Sequence, residues 1–156
     1  LVSDLAEKIQ KDLVSAMKQK DELSLSVLRM LKSALQLART EKGKTGDLTD
    51  DDILVLVRRL VKQRVEGAAI YRDHGAADRA DRELAEVKVL ERYLPAQLSD
   101  EELAAVVADT AAQAGATGPR DMGKVMGKTM AAVAGRAEGG RVKAAVQKHL
   151  ASLAGA

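Results

Sequence analysis

Residues 123–129, Gly-Lys-Val-Met-Gly-Lys-Thr, have the residue types of a phosphate-binding loop. Such a loop needs a glycine, four further residues, and then Gly-Lys followed by Ser or Thr, so that backbone amides surround the phosphates. Only three residues separate Gly123 from Gly127, and no buried strand precedes the run. We therefore interpret it as helical, with Gly123 and Gly127 one turn apart and allowing another helix to approach closely. This interpretation argues against nucleotide hydrolysis.

No other residues form a complete catalytic or metal-site motif. The chain contains no cysteine, which excludes thiolate nucleophiles and iron–sulfur clusters. His74 and His149 are far apart in the sequence, and neither has a second histidine four residues away. Glu83, Glu86 and Glu91 alternate with basic residues, a pattern typical of ion pairs on an exposed helix. We predict no catalytic residue, no metal site and no cofactor.

The composition narrows the possible environment and partners. Apolar residues make up 46% of the 156 residues and charged residues 31%, with a net charge of +2. No apolar run approaches the roughly 18 residues of a membrane span, and the first residues lack a basic and apolar leader. We therefore expect a cytoplasmic protein without membrane contact. Tyr71 and Tyr93 are the only aromatic residues, which argues against a stacking surface for single-stranded nucleic acid.

Positive charge gathers towards the C-terminus. From residue 118 onward there are seven basic and two acidic residues. Such a patch can hold phosphates without reading a base sequence. The candidate RNA contacts are Lys124, Lys128, Arg136, Arg141 and Lys143.

Two basic stripes also occur at helical spacing in the N-terminal part. The first contains Arg29, Lys32 and Arg39, and the second contains Arg58, Arg59, Lys62 and Arg64. Either stripe is a candidate RNA-facing surface. The alternative for every one of these patches is a solvated helix face with packed aliphatic stems.

Hydrophobic periodicity predicts an all-α protein with an N-terminal four-helix domain, residues 1–95. Residues 43–47 lack an apolar face and form a predicted loop. Thr49 is expected to cap the third helix, which should end near Gly75. The fourth helix is predicted from about residue 77 to residue 94, because Pro95 cannot continue it.

A small three-helix domain is predicted for residues 96–156. Ser99 and Glu102 fit a capping box at the start of the fifth helix, and Pro119 is expected to begin the sixth. The glycines of residues 135–140 separate the seventh. Seventeen of these sixty-one residues are alanine, so we expect a thin core and the less stable half of the molecule.

Four segments occur in the order typical of the YqeY family. They are Leu28–Ala34, Tyr93–Ser99, Asp121–Gly127 and Gly135–Gly139. The chain resembles this family, which is similar to the tail domain of the GatB subunit of glutamine-dependent tRNA amidotransferase.

The resemblance implies an all-helical protein whose C-terminal part is related to a domain that recognises the body of tRNA. It places the glycine and basic motif of that tail on residues 123–128, and a second motif on Gly135, Arg136 and Ala137. The backbone and packing motif is thus Gly123, Gly127 and Gly135. Residues 131–134 carry no basic residue where relatives are expected to have one, which implies a thinner basic surface.

Three functions remain open from the sequence. The first is a tRNA-binding or accessory module that contacts phosphates and works with tRNA-charging or amidotransferase machinery, without catalysis of its own. The second is an adaptor whose basic patch binds an acidic protein and whose N-terminal helices offer an apolar groove. The third is an enzyme of amide transfer, since the family is associated with carbon–nitrogen ligases that use glutamine as amide donor.

Overall fold

The computed structural model describes residues 3–41 and 47–155, and all regular elements in these ranges are helical. The predicted all-α fold is confirmed for these residues. The predicted loop lies outside them, apart from Asp47. The helices are α1 (Asp4–Gln19), α2 (Glu22–Glu41), α3 (Asp50–Asp73), α4 (Ala77–Glu91), α5 (Asp100–Gln113), α6 (Met122–Val133) and α7 (Gly139–Ala154).

Side-chain caps fix the start of several helices. Thr49 Oγ1 accepts the N–H of Asp52 at 3.2 Å, and the carboxylate of Asp52 accepts the N–H of Thr49 at 3.0 Å. This reciprocal pair satisfies two donors that the first turn leaves without partners. Ser99 Oγ accepts the N–H of Glu102 at 3.1 Å, as predicted. The reciprocal bond predicted for the Glu102 side chain is not formed within the described residues.

Two helix boundaries differ from the prediction. α4 ends at Glu91 rather than at residue 94, because residues 92–94 bond back by three positions in a tighter turn. Pro119 begins a separate 3₁₀ turn, Pro119–Asp121, and α6 starts at Met122. The predicted end of α3 is confirmed, with Gly75 at φ +76° in the left-handed region that glycine adopts without strain.

Contacts between Cα atoms divide the chain into an N-terminal unit, Leu1–Leu94, and a C-terminal unit, Pro95–Ala156. α1 to α4 belong to the first unit and α5 to α7 to the second. Of the helices that the structure describes, none combines the length and the apolar character that crossing a membrane requires.

The core of the N-terminal unit consists mainly of large aliphatic side chains and also includes Tyr93. The Tyr93 hydroxyl donates to the carboxylate of Asp12 at 2.7 Å, and the ammonium of Lys8 lies 5.6 Å from the ring centre. Burial, followed by the hydrogen bond and the charge of Asp12, raises the pKa of Tyr93. The phenol therefore stays protonated as a donor. The buried core residues are Ile9, Leu13, Ala16, Val27, Leu28, Leu31, Ile53, Leu56, Val57, Leu60, Val89, Leu90 and Tyr93.

The core of the C-terminal unit consists of smaller side chains contributed by all three helices. Inside it, Thr110 Oγ1 donates to the carbonyl of Val107 at 3.1 Å and lies 2.7 Å from Thr129 Oγ1. A hydroxyl has one proton, so Thr129 donates to Thr110. The buried core residues are Leu98, Leu103, Val107, Ala111, Ala114, Val125, Val133, Ala137, Val142, Val146 and Leu150.

Candidate nucleic-acid interface

α6 has an inner face and an outer face that follow from the helical period. Val125, Thr129 and Val133 are buried. Most of the residues between them project away from the core, since positions three and four apart share a face, whereas Met126 packs against it. We define the α6 outer face as four exposed residues, Gly123, Lys124, Gly127 and Lys128.

The glycines of the α6 outer face do not pack against a neighbouring helix. A Cβ atom added at Gly123 or at Gly127 would meet no atom within 4 Å. The predicted close helix contact is therefore wrong, because both glycines face away from the core. Glycine inside a helix costs about 0.5–1 kcal/mol relative to alanine, and packing inside the described part of the chain does not offset that cost at Gly127.

The backbone conformation at Gly135 explains why a glycine stands at this position. It follows Ala134, the C-cap residue of α6, and adopts a φ of +77°. Glycine enters this left-handed region at no steric cost. The backbone role expected for Gly135 is thus that of ending α6.

Thr129 is unavailable to a phosphate or a phosphate-bound cation. Its side chain is buried, and its hydroxyl is used by Thr110. The run from residue 123 to residue 129 lies within α6 rather than in a loop, so its backbone amides beyond the first turn are used by the helix. The helical interpretation of this run is confirmed.

Two of the predicted RNA contacts hold the segment that leads into α5. Arg141 Nη2 donates to the carbonyl of Leu98 and to the carboxylate of Asp100, both at 2.9 Å. Arg136 Nε donates to the carbonyl of Ala96 at 3.4 Å, and the Arg136 carbonyl accepts the N–H of Leu98 at 2.7 Å. Arg141 is therefore a structural tie, whereas Arg136 remains exposed beside the turn that follows α6.

The three lysines among the predicted contacts have exposed side chains. Lys124, Lys128 and Lys143 make no ion pair with any residue in the described ranges. Their ammonium groups are open to an external anion.

Asp121 lies at the start of α6, where its carboxylate accepts the N–H groups of Thr117 at 2.9 Å and Gly118 at 3.4 Å. The Thr117 bond lowers the pKa of Asp121, and the bond from Gly118 and the charge of Lys124 act in the same direction against desolvation. The aspartate therefore remains a structural anion at this turn.

The basic stripes of the N-terminal unit are partly used within that unit. Arg64 Nε lies 3.1 Å from the carboxylate of Glu86, and both side chains are only 17% exposed. Arg39 pairs with Asp47 at 3.0 Å, and Lys62 with Glu66 at 4.0 Å. Arg29, Lys32 and Arg59 are exposed.

The histidines do not gather with other metal-binding side chains. His74 Nδ1 lies 2.9 Å from the carbonyl of Ile70 in the last turn of α3, and His149 lies on α7. In the part of the chain that the structure describes, no three His, Asp or Glu side chains are close enough to hold a metal ion.

The model of the YqeY-like protein family matches residues 6–150. This chain belongs to the YqeY-like family. The match covers nearly the whole chain and confirms the resemblance drawn from the four ordered segments. A search among curated proteins finds no significant match. In this YqeY-like protein, two of those segments, Asp121–Gly127 and Gly135–Gly139, contribute to α6 and the turn that follows it.

Proposed function

We propose that this YqeY-like protein binds folded RNA, of the transfer RNA class, through the α6 outer face. The observation that carries the proposal is that two lysines, which form no ion pair with a described residue, lie beside two glycines on one exposed face. Without Cβ atoms, the helix backbone is bare beside the ammonium groups. A sugar–phosphate chain gains close contact there, and the lysines neutralise its charge.

The recognition that we propose is of shape rather than of base sequence. Lysine contacts to phosphates fix position and carry no direct sequence information. Tyr93 is buried, and Tyr71 has the guanidinium of Arg79 at 5.8 Å from its ring centre. Neither ring is presented as a platform for an unstacked base, which favours a folded RNA over a single strand.

A binding titration of the full chain against folded bulk tRNA and an unstructured RNA of equal length, at two salt concentrations, tests the proposal. We expect tighter binding to the folded RNA and a steep loss with salt. Replacing both Lys124 and Lys128 by Ala should weaken binding about tenfold at the lower salt and reduce the salt slope by roughly 0.7–0.9 for each lost phosphate contact.

The matched control replaces Lys11 and Lys18, two exposed lysines of α1, by Ala. It changes the net charge equally and should leave most of the affinity intact. Equal losses in the two double variants would mean that only overall charge matters, and the α6 outer face would lose its role.

We further propose that the chain acts as an accessory to tRNA-charging or amidotransferase enzymes and performs no amide transfer alone. The resemblance of residues 123–128 to the motif of the GatB tail, drawn from the sequence alone, supports this placement. Glutamine-dependent amide formation on Glu-tRNA by the isolated chain would contradict it.

We also propose that the two units are two separately folded domains, one of four helices and one of three. Limited proteolysis of the full chain should then cut first near Pro95 and leave two stable fragments. Early cuts inside α5 to α7 would contradict an independently folded C-terminal domain.

The adaptor hypothesis is the second candidate, and exposed apolar side chains in the N-terminal unit favour it. Leu37, Val55 and Ile70 are each about 60% exposed. If they bind a protein, replacing all three by Ser should abolish that association and leave RNA binding unchanged.

A further inference from the structure

A groove runs between α5 and α7 in the C-terminal unit, with a volume of about 460 Å³. No residue of α6 lines it, so it is separate from the α6 outer face. Its lining on α7 extends from Arg141 to Ser152, a length of about 16 Å at the helical rise. The groove is thus long enough to receive about three turns of another helix.

The walls of the groove are low because alanines form them. Ala104 of α5 and Ala144 of α7 are exposed, and Ala145 is half-buried. Leu103 and Val107 lie beneath as a buried apolar floor. Small residues let helix axes approach closely, and a ridge of larger side chains can enter such a groove.

The charge at the rim favours an anionic occupant. Arg141 and Asp100 both line the groove, and they neutralise each other in the 2.9 Å ion pair. Lys148 also lines it, is exposed, and makes no ion pair with any described residue. An approaching carboxylate would therefore find a free ammonium beside an apolar floor.

We propose that the α5–α7 groove binds an amphipathic α-helix of a partner protein, with an aliphatic ridge and acidic residues beside it. The ridge enters between Ala104 and Ala144 and contacts their exposed methyl groups above the buried floor, and a carboxylate pairs with Lys148. This is the helix-in-groove mode of recognition. It does not depend on RNA binding, because the two surfaces share no residue.

A displayed peptide library tests the proposal directly. Its members are 18-residue helices with a fixed leucine ridge and with Glu, Gln or Lys at the flanking positions. The full-length protein should enrich Glu-rich members, and a selected peptide should bind at least tenfold more weakly to the Ala144→Leu variant, in which the groove is filled. The Lys148→Glu variant should instead enrich Lys-rich members.

Two matched controls separate the groove from general surface effects. Ala105→Leu places the same side chain on an exposed position of α5 outside the groove, and Lys143→Glu makes the same charge change on α7 outside it. Both should bind the selected peptide as the unaltered protein does. No enrichment, Lys-rich enrichment by the unaltered protein, or equal binding by Ala144→Leu would overturn the proposal.

Two further measurements exclude other occupants. Sedimentation should show whether the unaltered chain self-associates through the groove. We expect no self-association that is lost in Ala144→Leu. Such a loss would assign the groove to a second copy of the chain. The tRNA titration should be unchanged by Ala144→Leu, because a loss there would make the groove part of an RNA surface. Either contrary result would overturn the assignment to an acidic helix.

Discussion

The two units are built from side chains of different size. The fully buried residues of the N-terminal unit include Leu28, Leu31, Ile53 and Leu90, whereas most of those in the C-terminal unit are valines. Leucine and isoleucine remove more apolar surface from water than valine or alanine. Each large side chain in the N-terminal core therefore removes more apolar surface from water than the valines and alanines of the C-terminal core.

The two units also differ in how they use charged groups. In the N-terminal unit, Arg64 and Glu86 form a shielded ion pair between α3 and α4, and Tyr93 donates to Asp12. In the described part of the C-terminal unit, Arg141 is the only basic residue in an ion pair. Its lysines remain open to external partners. The described part of the N-terminal unit thus contains a shielded ion pair, whereas the Arg141–Asp100 pair of the C-terminal unit is more exposed.

Core truncation should give the largest difference between the units. Leu31→Ala removes a side chain with no exposure and should lower the free energy of unfolding by about 3 kcal/mol. Val125→Ala, at an equally buried position of α6, should cost roughly 1.5–3 kcal/mol. Hydrogen exchange measured by residue will show which unit loses protection in each variant. Loss spread equally over both units would mean that the two cores unfold as one.

The buried threonine pair should give the next largest effect. Thr110→Val leaves the buried Thr129 hydroxyl without its acceptor and should cost about 1–2 kcal/mol. Thr129→Val should cost less, because the Thr110 hydroxyl still donates to the carbonyl of Val107. The double replacement removes both hydroxyls and should cost less than the sum of the single changes. Chemical denaturation of all four proteins measures this coupling. Strict additivity would show that the 2.7 Å contact contributes nothing.

Gly127→Ala should stabilise the C-terminal unit by about 0.5–1 kcal/mol, because the new methyl group enters open space on a helix. The same change should weaken RNA binding if the bare backbone is a contact surface. Gly135→Ala is the opposite control, since its φ of +77° strains any other residue. Destabilisation by Gly127→Ala in thermal unfolding would restore the close helix contact that the geometry excludes.

Acid should produce the smallest effect, at the turn before α6. The pKa of Asp121 is lowered in the folded protein, first by the bond from Thr117, from an ordinary value of 3.8. Its contribution to stability is therefore present above pH 3.8 and is lost as the pH falls through the lower folded value. Asp121→Asn should be less stable than the unaltered protein at neutral pH, and the difference should vanish in acid.

Asp109→Asn on α5 is the control, because Asp109 is exposed and forms no ion pair with a described residue. Chemical denaturation across the acid range compares the two variants. A difference between Asp121→Asn and the unaltered protein that persists at low pH would exclude the carboxylate charge as its cause.

Local signals in the sequence predicted much of the fold. The cap at Ser99 and the stop at Gly75 depend on neighbouring residues, and both were confirmed. The start of α6 was misplaced because Asp121 holds the Pro119 turn apart from the helix. The tie from Arg141 to Leu98 was not predictable, since it joins residues 43 positions apart.

The sequence contains a signal that would have corrected the prediction of a close helix contact at Gly123 and Gly127. Spacing of four residues places Gly123 and Gly127 on one face, but it does not say whether that face is inside or outside. The phase of Val125 and Val133 decides this, because the apolar residues must face the core. The glycines lie on the opposite side, beside the lysines. The positions of the buried valines and of the glycines and lysines together predict the α6 outer face. They do not predict the open space around it.

The placement of the aromatic residues makes the two units optically distinct. The chain has two tyrosines and neither tryptophan nor phenylalanine, and Tyr71 and Tyr93 both belong to the N-terminal unit. Near-ultraviolet circular dichroism therefore follows the N-terminal unit alone, whereas far-ultraviolet dichroism follows the helices of both. The order in which the halves of the protein melt can be read from two spectra of one unlabelled sample.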